Sequence, residues 1–252
     1  MALLEAITVP SQSKLLADLR ERFARRQGFA IATMNLDHVV KLRRDAEFRQ
    51  VYAEQTHVTA DGRPIVWLSR IAGRPVDLVT GSDLVEPLVA LSAELGMPIA
   101  MLGSTPDALG EAAARFRFRH PGLEVAALLS PPMGFDPEGP VADALIEELG
   151  RSDARLCFLA LGAPKQETFA AKAVRELPSM GFVSVGAGID FVAGTQVRAP
   201  RLFRVLALEW LWRLSGDPRR MFHRYISCAA ILPALVRDAV SMRSSKTAER
   251  AQ

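Results

Sequence analysis

Side chains suited to chemistry recur at particular places in this chain, each directly after a short apolar run. They fall in Thr33-Met34-Asn35, Ala60-Asp61-Gly62, Gly103-Ser104-Thr105-Pro106, Gly162-Ala163-Pro164-Lys165-Gln166-Glu167 and Gly186-Ala187-Gly188-Ile189-Asp190-Phe191. Asp61 has the chemistry of a general base, and Asn35 that of a donor to a hydroxyl or phosphate. An Asp-Gly pair equally makes a turn and caps the helix expected near Pro64. The Gly103-Ser104 segment opens a helix just after a strand, where backbone N–H groups and the helix dipole suit a phosphate. It lacks the lysine of a phosphate-binding loop and the full Gly-x-Gly-x-x-Gly spacing, so a structural turn accounts for it as well. Pro164 fixes its loop, and Lys165 and Gln166 are set to face the strand ends. Gly186 and Gly188 permit either close approach to a ligand or a tight turn.

Metal chemistry finds little in the residue types. No two aspartates are separated by a single residue, and His38, His57, His120 and His223 are scattered without ligand spacing. The expectation is a reaction without metal or cofactor, in which phosphate charge is met by Arg, Lys and backbone donors.

The elements that must position these loops follow from periodicity. Apolar runs of strand length alternate with amphipathic stretches of helix length, the pattern of a parallel α/β sheet flanked by helices. Strands are expected at Phe29–Thr33, Thr56–Thr59, Ile99–Leu102, Glu124–Leu129, Arg155–Leu161 and Gly181–Val185, and helices at Asp37–Ala53 and Pro106–Phe118. Ligands of open α/β sheets bind at the carboxyl ends of the strands, where the polar loops stand.

Charge divides the chain. From Thr195 onward there are eleven Lys/Arg against four Asp/Glu, a local +7; the preceding 194 residues carry 20 against 24, or −4. This places an α/β core at 1–194 and a basic, amphipathic helical appendage at 195–252. In the appendage Leu202, Phe203, Leu206, Trp210 and Leu214 recur at helical spacing between arginines. Such a face rests on a lipid surface, packs on the core or joins subunits into a homo-oligomer. The apolar run Ile226–Val236 contains Pro233 and is shorter than the ~20 residues of a spanning helix, so a peripheral, surface-lying contact is expected. Cys157 and Cys228 read as small core residues of a reducing compartment. No basic-then-apolar leader is apparent in the first twelve residues, which points to the cytoplasm.

Taken together, the loops resemble the WecG/TagA/CpsF family of bacterial glycosyltransferases. The resemblance is carried by the loops above and by Gly81-Ser82-Asp83-Leu84, Pro131-Pro132-Met133-Gly134-Phe135, Arg198-Ala199-Pro200, Leu208-Glu209-Trp210 and Pro218-Arg219-Arg220, in unbroken order from Ile31 to Tyr225. It implies a Rossmann-like fold and an inverting transfer of a sugar from a UDP donor to a saccharide on a polyprenyl diphosphate, for cell-surface polysaccharide such as exopolysaccharide. It also implies a peripheral place at the inner face of the membrane.

Residue by residue, Asp61 matches the family's catalytic base. Thr33, Asn35 and Gln166 match polar active-site positions. Gly103, Ser104, Gly162, Lys165 and Gly186 fall in loops facing the substrate, while Phe135 and Asp190 would bracket the uracil. Arg213, Arg219, Arg220 and Arg224 would meet the diphosphates. One departure is Leu78, where many relatives are basic, so that Arg74 or the appendage arginines must compensate. Two other classes compete. A nicotinamide-dependent oxidoreductase lacks its glycine fingerprint here, and a nucleic-acid-binding protein leaves the strand-end loops unexplained.

Overall fold

Six short strands form the scaffold: β1 (Phe29–Met34), β2 (His57–Ala60), β3 (Ile99–Gly103), β4 (Val125–Leu129), β5 (Leu156–Ala160) and β6 (Gly181–Ser184). They lie in the order β2-β1-β6-β5-β3-β4, every neighbouring pair parallel. The structure, a computed structural model, describes residues 3–200, 203, 209–216 and 218–250. The side chains at 3, 209, 213, 215, 216, 219, 220 and 245–250 lie outside the described residues.

The strands are mostly apolar, with Thr33, His57, Thr59 and Ser184 as buried polar members, because helices cover both faces of the sheet. Period-two alternation sends Phe29, Ile31, Ile99, Met101, Leu156 and Phe158 to one face, where they pack with α1 (Gln12–Ala24), α5 (Gly81–Glu94), α6 (Pro106–Arg119) and α9 (Gly188–Ala193). The intervening residues face the other way. Ala32, Met34, Val58 and Ala60 meet α2 (Leu36–Arg44), α3 (Ala46–Ala53) and α4 (Arg63–Ile71). Ala100, Leu102, Cys157 and Leu159 meet α7 (Pro140–Arg151) and α8 (Lys165–Glu176). Neighbouring strands β1 and β6 therefore send their following helices to opposite faces, as do β5 and β3. Such reversals open crevices at the carboxyl rim.

The expected strands are all present, with no end shifted by more than one residue. The single helix expected over Asp37–Ala53 is instead two. Asp45 sits between them in extended conformation, with φ −120° and ψ 114°, and its carboxylate accepts from Phe48 N at 3.0 Å. An aspartate that caps a new helix competes with continuing the old one.

Beyond the sheet come α10 (Glu209–Gly216) and α11 (Pro218–Arg250). The inner side of α11 is not separate from the core: Leu235 and Ala239 join the cluster made by Val39, Leu42, Ile65 and Leu68. Asp238 pairs with Arg43 of α2 at 3.0 Å.

Gly103 closes the end of β3 at φ +112°, and a Cβ there would lie 2.4 Å from the Ala160 carbonyl oxygen. Gly103→Ala is therefore expected to lower stability by about 1–3 kcal/mol, read as a lower urea midpoint at unchanged m-value. Gly110→Ala is the control. Nothing lies within 4 Å of the position in the middle of α6, and the substitution should stabilise by roughly 0.5–1 kcal/mol.

Candidate active site

The carboxyl end of β1 and that of β2 are held together by backbone and side chain. Asp61 N donates to Met34 O at 2.8 Å, and Thr33 Oγ1 donates to Asp61 Oδ2 at 3.4 Å. Thr33 is buried and Asp61 half-buried at the rim. The N-cap of α4 is Gly62, at φ 101°, with no side-chain capping bond.

Tyr52 supports this pair from α3. Its hydroxyl donates to Thr33 O at 2.6 Å. Burial, with the Glu167 and Asp61 charges adding to it, pushes the phenol well above its ordinary pKa, so it stays a neutral donor. Asn35 caps α2: its Oδ1 accepts from Asp37 N at 3.0 Å and His38 N at 3.1 Å. The cap leaves the amide nitrogen as the donor Asn35 presents near Asp61. The loops are close, for a Cβ on Gly62 would lie 4.0 Å from Asn35 Cβ.

Gln166 opens α8 and is almost fully buried. Its Oε1 accepts from Gly186 N at 3.2 Å, tying the loop after β5 to the loop after β6. Gly162 and Gly186 take φ +74° and +53°, in the left-handed region these turns need.

Gly103-Ser104 joins neighbouring strand ends. Ser104, at φ +56°, donates its N–H to Ala160 O at 3.1 Å, and its hydroxyl donates to Asp190 Oδ1. Asp190 Oδ2 accepts from Gln196 Nε2 at 3.0 Å. Ser104 and Asp190 thereby bridge the ends of β3 and β6.

Phe135 does not stand opposite Asp190. It is 6 % exposed and packs on Phe169, ring centroids 6.1 Å apart, in the layer with α7 and α8. The helix carrying Asp190 packs against the other face. The sheet separates the two layers, so the expected bracket around one ring is not formed in this structure. Phe135 and Lys165 instead border a cleft of about 710 Å³ shared with Phe48, Gln50, Asp136 and Arg175, whose lining does not include Asp61 or Asp190.

The arginines sort differently from expectation. Arg224 Nε lies 3.2 Å from Asp37 Oδ1, Asp37 Oδ2 is 2.8 Å from Lys41 Nζ, and that ammonium donates to Ala163 O at 3.1 Å. Arg224 thus anchors α11 to α2 and, through Lys41, to the Gly162 loop. Arg213, Arg219 and Arg220 have side chains outside the described residues. Leu78 is exposed beside the end of β2, and Arg74 does not reach in for it: its guanidinium donates to Ile7 O at 3.2 Å.

Sequence reasoning missed Tyr52, the buried His38 and Glu167 behind it, and the partner of Arg198. The Arg198 guanidinium bonds Asp83 Oδ1 at 2.7 Å and sits 6.0 Å from the Phe191 ring. This contact joins the Gly81, Asp190 and Arg198 segments. Their order along the chain was visible, but a pair 115 residues apart has no local signal.

The outer side of the appendage exposes Trp210, Leu211, Phe222 and Ile226, while Met221 and Cys228 turn inward. Of the expected stripe, Leu202 and Leu206 lie outside the described residues. Among the described residues, the segment Met221–Ser244 is long and apolar enough to cross a membrane by length and composition, longer than the run read from sequence. Part of it packs on α2 and α4, while only 17 % of its apolar window is buried. Among the described residues no three His, Cys, Asp or Glu side chains converge as metal ligands.

The family model described as Glycosyl transferase WecG/TagA/CpsF family matches residues 3–245, nearly the whole chain.

The Arg224–Asp37–Lys41 clasp carries a pH prediction. Burial raises the Asp37 carboxyl, but the Lys41 hydrogen bond and the Arg224 and Lys41 charges outweigh it and hold the pKa below the ordinary value. The stabilisation is complete above the unfolded pKa of about 3.9 and is lost as pH falls through the folded-state value. Asp37→Asn should be less stable than wild type at neutral pH and converge with it in acid, measured by urea unfolding across pH. A difference that does not shrink in acid would remove Asp37 from this role.

Proposed function

The chain belongs to the WecG/TagA/CpsF glycosyltransferase family, and on that premise we propose that it is an inverting, metal-independent transferase using a UDP-sugar. Its acceptor is a saccharide carried on a polyprenyl diphosphate, and its product feeds cell-surface polysaccharide such as exopolysaccharide. The donor sugar is glucose, N-acetylmannosamine or a derived uronic acid. The observation that carries the reading is the half-buried Asp61 carboxylate at the rim, to which the Thr33 hydroxyl donates.

In this mechanism the acceptor hydroxyl attacks the anomeric carbon from the face opposite UDP. The new C–O bond forms as the bond to the phosphate oxygen breaks. Asp61 takes the hydroxyl proton, and UDP leaves with the electron pair, so a single displacement inverts the anomeric centre. Asn35 offers its amide nitrogen beside Asp61 for a donor-sugar hydroxyl. Gln166 serves by holding the Gly186 loop, whose backbone lies at the same rim. The diphosphate charge falls to the appendage arginines at 213, 219 and 220, since Arg74 and Arg224 are committed elsewhere. The exposed apolar and basic side of α10 and α11 supports a peripheral place on the inner face of the membrane, where a lipid-linked acceptor resides.

Two measurements test this. Asp61→Asn should lower turnover by roughly 10²–10⁴ with little change in UDP affinity, and wild-type turnover would remove Asp61 from the mechanism. UDP at ~100 times its dissociation constant, in EDTA, should add about 2.7 kcal/mol and raise the melting temperature by a few degrees. Stabilisation by NAD and not by UDP would overturn the donor assignment.

A further inference from the structure

Glu167 is a carboxylate with no solvent exposure, near enough to Tyr52, the donor to Thr33 O, for its charge to act on that phenol. Its Oε1 accepts from Gln166 Nε2 at 2.8 Å and lies 3.6 Å from His38 Nε2. The other oxygen, Oε2, and His38 Nε2 have no hydrogen-bond partner. His38 is itself only 6 % exposed. A buried carboxylate so incompletely satisfied costs several kcal/mol, a cost that packing alone does not recover. Core stability alone would favour an apolar side chain of similar volume.

What the carboxylate does is visible in its neighbours. His38 Nδ1 accepts from Asn35 N at 3.2 Å. A ring nitrogen that accepts carries no proton, so the proton of the neutral imidazole is on Nε2, the side facing Glu167. The same carboxylate settles the amide of Gln166: an acceptor at 167 requires the nitrogen of Gln166 to face it, which turns Oε1 to Gly186 N. The backbone of Glu167 is held as well, its carbonyl accepting from Gln55 Nε2 at 3.1 Å. One carboxylate thus faces both the Nε2–H side of His38 and the amide of Gln166, and each of these side chains holds a different rim loop.

We propose that Glu167 is a positioning residue for the transfer reaction, its buried carboxylate fixing the Nε2–H form of His38 and the amide of Gln166 so that the Asn35 and Gly186 loops are locked around Asp61. Glu167 touches no substrate. It acts through His38 on Asn35 and through Gln166 on Gly186. The kinetic consequence rests on the reading of Asp61 as the base; the state of His38 does not.

The test is Glu167→Gln in the full chain, which keeps the volume and an oxygen for Gln166 but removes the charge that selects the His38 proton. Histidine ¹⁵N NMR should show a single Nε2–H tautomer for wild-type His38 at neutral pH and a mixture in the variant. Turnover with UDP-sugar should fall by roughly tenfold or more, while UDP affinity and cooperative melting are retained, a loss confined to kcat. An Nδ1–H form in the wild type would overturn the proposal even if the variant failed to fold. So would a variant with unchanged tautomer and turnover, or one whose lost turnover merely follows lost UDP binding. A wild type inert with every UDP-linked sugar counts against the donor reading alone, and the tautomer result still decides the role of Glu167.

Discussion

A parallel sheet covered on both faces leaves only one place for polar chemistry, and the rest of this molecule follows from that constraint. The six strands are packed between helices above and below, so their own side chains are committed to the core. All six point the same way, so their carboxyl ends lie on one rim. The chain must leave each strand there with unpaired backbone groups and a change of direction. Thr33, Asp61, Ser104, Gly162 and Gly186 all fall at or beside these exits, and the connections beside β1 and β6 leave for opposite faces.

The rim is held by polar contacts that run deeper than its surface. The Tyr52 hydroxyl, the Gln166 amide and the Glu167 carboxylate are buried behind the rim, and the Asn35 cap is half-buried. In a low-dielectric setting such a set of groups is costly unless its geometry is well satisfied, and where satisfied it allows few alternatives. That rigidity suits a reaction needing a base, a hydroxyl and an anomeric carbon aligned within a fraction of an ångström. The Ser104–Asp190 and Asp83–Arg198 contacts do the same work on the other side, using residues that by type alone resemble ligand-binding groups.

The appendage is bound to the core rather than merely following it. Leu235 and Ala239 bury against α2 and α4, and Arg224 and Asp238 make ion pairs with α2 on the same side. Through Lys41 the Arg224 pair reaches the loop after β5, so the seating of the C-terminal helix and the shape of the rim are mechanically linked. Part of the basic charge beyond Thr195 thus fastens the helix.

The alternation of apolar runs with amphipathic stretches determined the fold class from sequence alone, because a strand buried on both faces has no alternative to continuous hydrophobicity. The place of Asp61 after the second strand was legible for the same reason. Other features required the tertiary structure. The break at Asp45 depends on a capping bond that competes with helix propensity. The burial of Phe135 depends on Phe169 and the helices over it, and its spacing in the loop carries no sign of which side it will face. The diversion of Arg224 to Asp37 and the pairing of His38 with Glu167 join residues far apart in the chain. A local pattern records which groups are available, but only the packed structure decides which find partners first and which are left for a substrate.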